Sequence, residues 1–323
     1  MPNLPQALQK TIFENLALPV IAAPLFLVSN PKMCVACCAA GIVGSFPAHS
    51  TRTHEVLIDW LDEVADGLAN LRSAGINPAP FAVNLVVHKT NARLDGDLQL
   101  IIDRKIPLVL TSKGAPGDVF AAIKAYGGTI FHDVANQRHA EKAIEAGADG
   151  VIAVADGAGG HCGTINPFAL VGEIRQIFDG PIILAGAIST GRDILAAQTM
   201  GADLVYMGTR FITAQESSAS EDYRQMVLAS KATDIFFSAA LDGAPANWLR
   251  PSLEAAGVDI DELRYRKPDA IIDTGKLKDR YKKIFLAGHG VGNIHNEESV
   301  ADLVAHLREE YAHAKEYMRG LLA

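Results

Sequence analysis

Eight short apolar stretches, each followed by a segment of helical character, recur through the first 211 residues, and this alternation constrains the fold more than any single motif. They fall at residues 18–24, 41–46, 81–87, 107–112, 128–134, 150–155, 181–187 and 203–211. The stretches are continuously apolar, as strands covered on both faces require. Between them, residues 53–74 form a long polar-apolar helix and residues 137–146 a helix closed by Gly147, while residues 168–178 place Leu170, Val171, Ile174 and Ile177 on one face. Residues 146–153 and 200–207 resemble each other as repeated helix-end, Gly-turn and strand units. The pattern predicts an α/β fold, a (β/α)8 TIM barrel; an open doubly wound sheet competes, and the strand count disfavours it.

A chain of 323 residues, 49% hydrophobic, has material for one large barrel or two ordinary domains. The expected division is a barrel over residues 1–211, a helical lid or substrate-side insertion without strand alternation over 212–283, and a Gly-rich turn with a C-terminal helix over 284–323. The net charge of −8, with no cluster of Lys and Arg, argues against a nucleic-acid partner. No apolar run is long enough for a membrane span. Residues 1–18 lack the basic region and apolar core of a secretory signal, so a cytoplasmic protein is expected. Cys34, Cys37 and Cys38 sit in a helix with Ser29 or Asn30 as cap and Pro31 in its first turn; they read as packing residues, and no second Cys/His pair completes a metal set.

A barrel of this kind gathers the residues just past each strand into one site. These are residues 23–24, 46–47, Asn84, 111–112, 132–133, 157–163, 186–189 and 207–209. The 157–163 loop frames the imidazole of His161 with four glycines, a backbone able to take positive φ and approach a ligand. The last two groups can hold a phosphate with backbone N–H groups and a helix N-terminus, without basic side chains.

These residues resemble the nitronate monooxygenase (2-nitropropane dioxygenase) flavoproteins. Ala158-Gly-Gly-His-Cys-Gly163 is similar to that family's AGGHxG, Ile183-Leu-Ala-Gly-Ala-Ile188 to its IxAGGI, and Met207-Gly-Thr-Arg-Phe211 to its MGTRF. With residues 81–85 and 287–292 the likeness runs from Pro19 to Asn293. It implies an FMN-dependent TIM-barrel oxidoreductase that oxidises nitroalkanes or alkyl nitronates with O2; a homodimer and no metal are separate expectations. It also implies that Ala23, Pro24, Asn84, Gly159, Gly160, Gly186, Ala187, Met207, Gly208 and Thr209 surround FMN, the phosphate lying near Gly186, Ala187, Gly208 and Thr209. His161 would be the base that takes a proton from the carbon next to a nitro group, and the flavin ring would carry the electrons.

The chain departs from that pattern at Asp133, where relatives carry lysine or a neutral polar group, and at Ala187, which replaces a glycine. Cys162 reads as packing and His289 as a turn residue or a second polar group near the flavin. An NAD(P)H-dependent FMN reductase of a quinone or enoyl thioester is the main alternative; few basic residues stand at the expected strand ends, which argues against NADPH and an acyl carrier. A barrel of the inosine-monophosphate dehydrogenase type, with Cys162 as nucleophile, and a non-catalytic flavin-binding barrel are further alternatives. Residues 213–283 are expected to shape the substrate pocket, with Trp248, Phe236 and Phe237 as packing groups.

Overall fold

The eight apolar stretches become eight parallel strands, each covered on both faces. They are β1 (Val20–Ala22), β2 (Gly44–Pro47), β3 (Phe81–Val86), β4 (Leu108–Ser112), β5 (Thr129–Val134), β6 (Gly150–Val154), β8 (Ile182–Ala185) and β9 (Leu204–Met207). The computed structural model describes residue 14 and residues 16–241, 243–265 and 283–323. Its sheet runs in the order β1-β9-β8-β6-β5-β4-β3-β2. A bridge between Ile21 and Val43 joins the two ends, with the Ala22 N–H donating to the Val43 carbonyl at 2.9 Å. The expected (β/α)8 barrel is the observed fold.

Side chains on each strand alternate between two apolar layers. Val83, Val109, Ile130 and Val151 face outward to helices, where Leu57 and Phe120 cover them. Ile21, Val43, Leu110, Phe131 and Ile152 fill the interior. This register decides which strand-end residues reach the barrel mouth. The helices outside include α1 (Pro31–Ala39), α2 (His54–Ser73), α3 (Leu94–Asp103), α4 (Gly117–Ala125), α5 (Gln137–Glu145), α6 (Pro167–Arg175) and α7 (Gly191–Met200). Side-chain caps start several of them: Asn30 accepts from the Met33 N–H, Thr53 from Val56, Asn136 from His139, and Thr190 forms a capping box with Asp193. Cys34, Cys37 and Cys38 are fully buried on α1, and burial pushes the Cys34 and Cys37 thiols well above their ordinary range, which suits packing and not thiolate chemistry.

Beyond β9 the chain forms α8 (Thr209–Ile212), α9 (Glu221–Ala229), β10 (Ile235–Ser238), β11 (Ala246–Leu249), α10 (Arg250–Ala255), α11 (Ile260–Tyr265) and α12 (Val300–Leu322). The expectation that this segment lacks strands is corrected: β10 and β11 pair antiparallel, and β11 also pairs with β7 (Gly160–His161) to make a three-stranded sheet over the mouth. Four residues per strand are too few for a period to show, and the pairing to β7 crosses a long stretch of sequence. Trp248 is buried there and donates its indole N–H to the Ser238 carbonyl at 3.2 Å; Phe236 packs beside it, whereas Phe237 is exposed. α12 packs on α7 and α1. Residues 266–282 of the expected insertion, and most of the N-terminal segment read as lacking a secretory signal, lie outside the described residues. Among the described residues no helix is long and apolar enough to cross a membrane.

Candidate active site

His161 owes its position to backbone hydrogen bonding on both sides. Within β7 it lies opposite Ala246 of β11, with Gly160 opposite Asn247. The next N–H, from Cys162, donates to the Pro245 carbonyl at 3.0 Å, and the Asn247 side-chain amide donates to the Ala158 carbonyl at 2.8 Å. The expected site loop is therefore partly a strand, with the imidazole exposed at its end. Its glycines have separate tasks. Gly160 takes φ +76°, a conformation that side chains disfavour, whereas a Cβ on Gly159 would come within 2.7 Å of the Gly288 backbone nitrogen. Gly159 is required because the 287–289 turn passes directly against it: the Gly157 carbonyl accepts from both Ala187 (3.2 Å) and His289 (2.9 Å), and the Gly288 N–H donates to Thr209 Oγ1 at 2.9 Å. His289 is exposed on this turn.

The other expected residues divide by register. Ala23 and Pro24 follow β1, with the Ala23 N–H committed to the Met207 carbonyl at 2.9 Å. Asn84 is buried on β3, and its amide donates to the Leu110 carbonyl at 3.0 Å. Gly186 (φ +141°), Ala187 (φ +55°), Gly208 and Thr209 stand at the ends of β8 and β9. The Met207 side chain does not face the mouth; it is buried in the helix-facing layer, one step out of register with its inward neighbour Tyr206. Nor is the N-terminus of α7 open to a phosphate. Asp193 Oδ2 accepts the Ser189 and Thr190 N–H groups at 2.9 Å, and Glu310 of α12 accepts that of Gly191 at 2.6 Å.

A cleft of about 420 Å³ opens at the ends of β4, β5 and β6, with Ser112, Asp133, Val154, His161 and Cys162 on its walls. Lys113, His139 and Lys142 form its outer rim. This corrects the expectation of few basic residues at the site: His139 and Lys142 come from α5, whose first turns lie over the end of β5, and a survey of strand ends does not find them. Burial, with the nearby Asp156 charge, pushes the Cys162 thiol up to about 12, so Cys162 is a packing residue and a poor nucleophile. Asp133 faces inward, and burial pushes its carboxyl up to about 7. Among the buried polar atoms without a hydrogen-bond partner among the described residues, Asp133 Oδ1 lies in this cleft, whereas Ser189 Oγ follows β8 and Asn247 Oδ1 lies on β11. Buried polar atoms are normally paired, so Asp133 Oδ1 leaves the cleft hydrogen-bonding capacity that a polar ligand can use. The sequence signals for Ser189, Tyr206 and Asn247 were weak: none falls in a motif that carries the family likeness.

Comparison with known proteins gives a consistent picture. The nitronate monooxygenase family pattern matches residues 90–310. A curated 5-hydroxy-7a-methyl-1-oxo-octahydro-1H-indene-4-carboxyl-CoA dehydrogenase of Rhodococcus jostii is 28% identical over 237 residues, 73% of this chain and 63% of that protein. A curated nitronate monooxygenase of Paraburkholderia phytofirmans is 25% identical over 93% of this chain and 94% of that protein. The chain thus spans less than two thirds of the first relative's length and nearly all of the second's. Among solved structures, FabK from Thermotoga maritima superposes with a TM-score of 0.83 at 24% identity, covering 98% of this chain and 99% of that one, a likeness of fold. With the family pattern covering most of the barrel and the site, the chain belongs to the nitronate monooxygenase family of flavin-dependent oxidoreductases.

Proposed function

We propose that this chain catalyses the FMN-dependent oxidation of nitroalkanes or alkyl nitronates with O2, with His161 as the base. The observation that carries the reading is the seating of His161, fixed by β11 on the wall of a cleft at the barrel mouth and exposed to it. The residues present fit a flavin mononucleotide. Unpartnered Asp133 Oδ1, Ser189 Oγ and Asn247 Oδ1 suit a ligand with polar edges, and Thr209 Oγ1, which already accepts from Gly288, keeps its own proton to donate to a phosphate. Ala23, Pro24, Asn84, Gly159 and Gly160 would flank the ring, while Gly186, Ala187, Gly208, Thr209 and Ser189 would hold the phosphate. Met207 would contribute through its backbone alone. The bound flavin supplies the two-electron chemistry.

In this reading His161 takes the proton from the carbon next to the nitro group, which a neutral nitroalkane must lose before it can give up electrons. A nitronate has lost that proton already and does not need the base. Lys113 and Lys142 draw the anionic nitronate toward the cleft. The β10–β11 hairpin and the helices after it wall the substrate side. Anaerobic titration of the purified protein tests the proposal. Nitronate should bleach the flavin absorbance while NADH and NADPH leave it unchanged, and His161→Asn should lose roughly 10²–10⁴-fold in turnover of the neutral nitroalkane yet keep its activity on the nitronate. Equal loss on both substrates would remove His161 from the role of base.

The cationic rim also favours a second reading, NAD(P)H-dependent reduction of a quinone or an enoyl thioester. Lys113, His139 and Lys142 suit the phosphates of a nucleotide or coenzyme, and one relative is named for action on a coenzyme A thioester. Bleaching by NAD(P)H alone selects this reading.

A further inference from the structure

We propose that Asp133 sets the reduction potential of the flavin, its carboxylate holding electron density off a ring seated at the barrel mouth. The inference rests on the flavin assignment above and not on the choice of substrate. Asp133 pairs in register with Ile152 and lies two residues beyond Phe131, both interior residues, so its side chain points into the barrel. It lines the cleft together with His161, and its Oδ1 is buried with no hydrogen-bond partner among the described residues. Its charge is felt across the mouth by Tyr206, whose hydroxyl is pushed up first by burial and then by Asp133.

The titratable and charged groups that share this cleft with the carboxyl are Lys113 after β4, His132 beside it on β5, His139 and Lys142 on α5, and His161 and Cys162 at β7, while Tyr206 on β9 feels its charge. Lys113, His139 and Lys142 are exposed, so water and salt screen them, whereas Asp133 Oδ1 is enclosed. Reduction adds two electrons to a ring, and whatever negative charge is not matched by proton uptake is opposed by a nearby carboxylate in a low-dielectric pocket. Linkage makes the effect mutual: electrons arriving on the ring raise the pKa of Asp133. Between its two pKa values the carboxyl then takes up a proton along with the electrons. Burial already holds this group near about 7, so the window lies just above neutrality.

The test is the midpoint potential of the flavin-loaded protein, measured by dye equilibration between pH 5.5 and 8.5 in the wild type and in Asp133→Asn. At the alkaline end the variant should have the more positive potential, and the two curves should converge at the acid end, where Asp133 is protonated. The wild-type curve alone should steepen through the window, which decides the matter if Asp133→Asn does not fold. Coincident curves, or a wild-type slope without that steepening, would overturn the proposal. A protein that binds flavin but ignores nitronate overturns the substrate reading and leaves this measurement intact; a protein that binds no flavin overturns both.

Discussion

His132 and Asp133 are neighbours on β5 that face opposite layers. His132 points outward, nine-tenths or more buried, with its Nδ1 sharing a hydrogen bond with Thr111 Oγ1 at 2.7 Å and its ring edge-on to Phe120 at 5.5 Å. Asp133 points inward, and its Oδ1 has no hydrogen-bond partner among the described residues. Burial drives both toward their neutral forms, holding the imidazole down at about 4 and pushing the carboxyl up to about 7. The difference is in what neutrality accomplishes. For His132 it completes a packed and hydrogen-bonded layer; for Asp133 it leaves capacity unused in a cleft. Helix-facing positions are optimised for stability, while the mouth holds back polar capacity that a ligand can use.

The strongest way to break the contrast is Phe120→Ala. It removes a fully buried ring from the outer layer and should cost about 3–5 kcal/mol in urea unfolding. It also opens His132 to water, so that its pKa, followed by NMR, should rise toward the ordinary imidazole range. The mouth should keep its ligand binding at temperatures where the variant stays folded.

The pH dependence of stability sharpens the comparison. An imidazole held at about 4 when folded and 6.5 when unfolded binds more protons in the unfolded chain between those values, so its contribution, about 3 kcal/mol, is present above 6.5 and lost as pH falls through 4. A carboxyl at about 7 when folded and 3.8 when unfolded does the reverse: the folded chain holds the proton, and stability falls as pH rises from 3.8 to 7. With partial solvent access this effect is on the order of 1–3 kcal/mol. The two slopes oppose each other between about pH 4 and 6.5. Urea unfolding of the ligand-free protein should show Asp133→Asn gaining stability with pH across that interval and exceeding the wild type at pH 8. His132→Leu should show the opposite slope. Parallel curves for wild type and Asp133→Asn would mean that Asp133 is as well solvated in the fold as outside it.

The smallest effect belongs to Asn247→Ala. Losing the bond to the Ala158 carbonyl should cost about 1–2 kcal/mol in thermal unfolding. Amide exchange at Cys162, whose N–H is held by Pro245, should quicken more than exchange in β5.

Much of this was legible in the sequence because it depends on local signals. Each barrel strand announces itself as a short apolar run, and residues such as Asn136 and Thr190 mark helix starts by chemistry that acts within four residues. The glycine frame around His161 likewise marked a loop that stands on the wall of the cleft. What the sequence concealed depends on register and on distant pairing. That Asp133 points in while His132 points out, and that Tyr206 and not Met207 faces the mouth, follows from a one-residue phase that no composition reveals. The pairing of Ala246 and Asn247 with a two-residue strand nearly ninety positions earlier leaves no local trace. Lys142 reaches the cleft from the middle of a helix, and the phosphate expected at the start of α7 finds that place taken by Asp193 and by Glu310 from the far end of the chain.

β11 belongs to two structures at once, the hairpin with β10 and the seat of His161. A substitution there changes both together, and so does one at Pro245, the last residue of the turn before β11, whose carbonyl holds the Cys162 N–H. In evolutionary terms the hairpin is constrained from its β7 side: β11 and Pro245 should accept few replacements, and β10, which has no pairing with β7 among the described residues, should accept more.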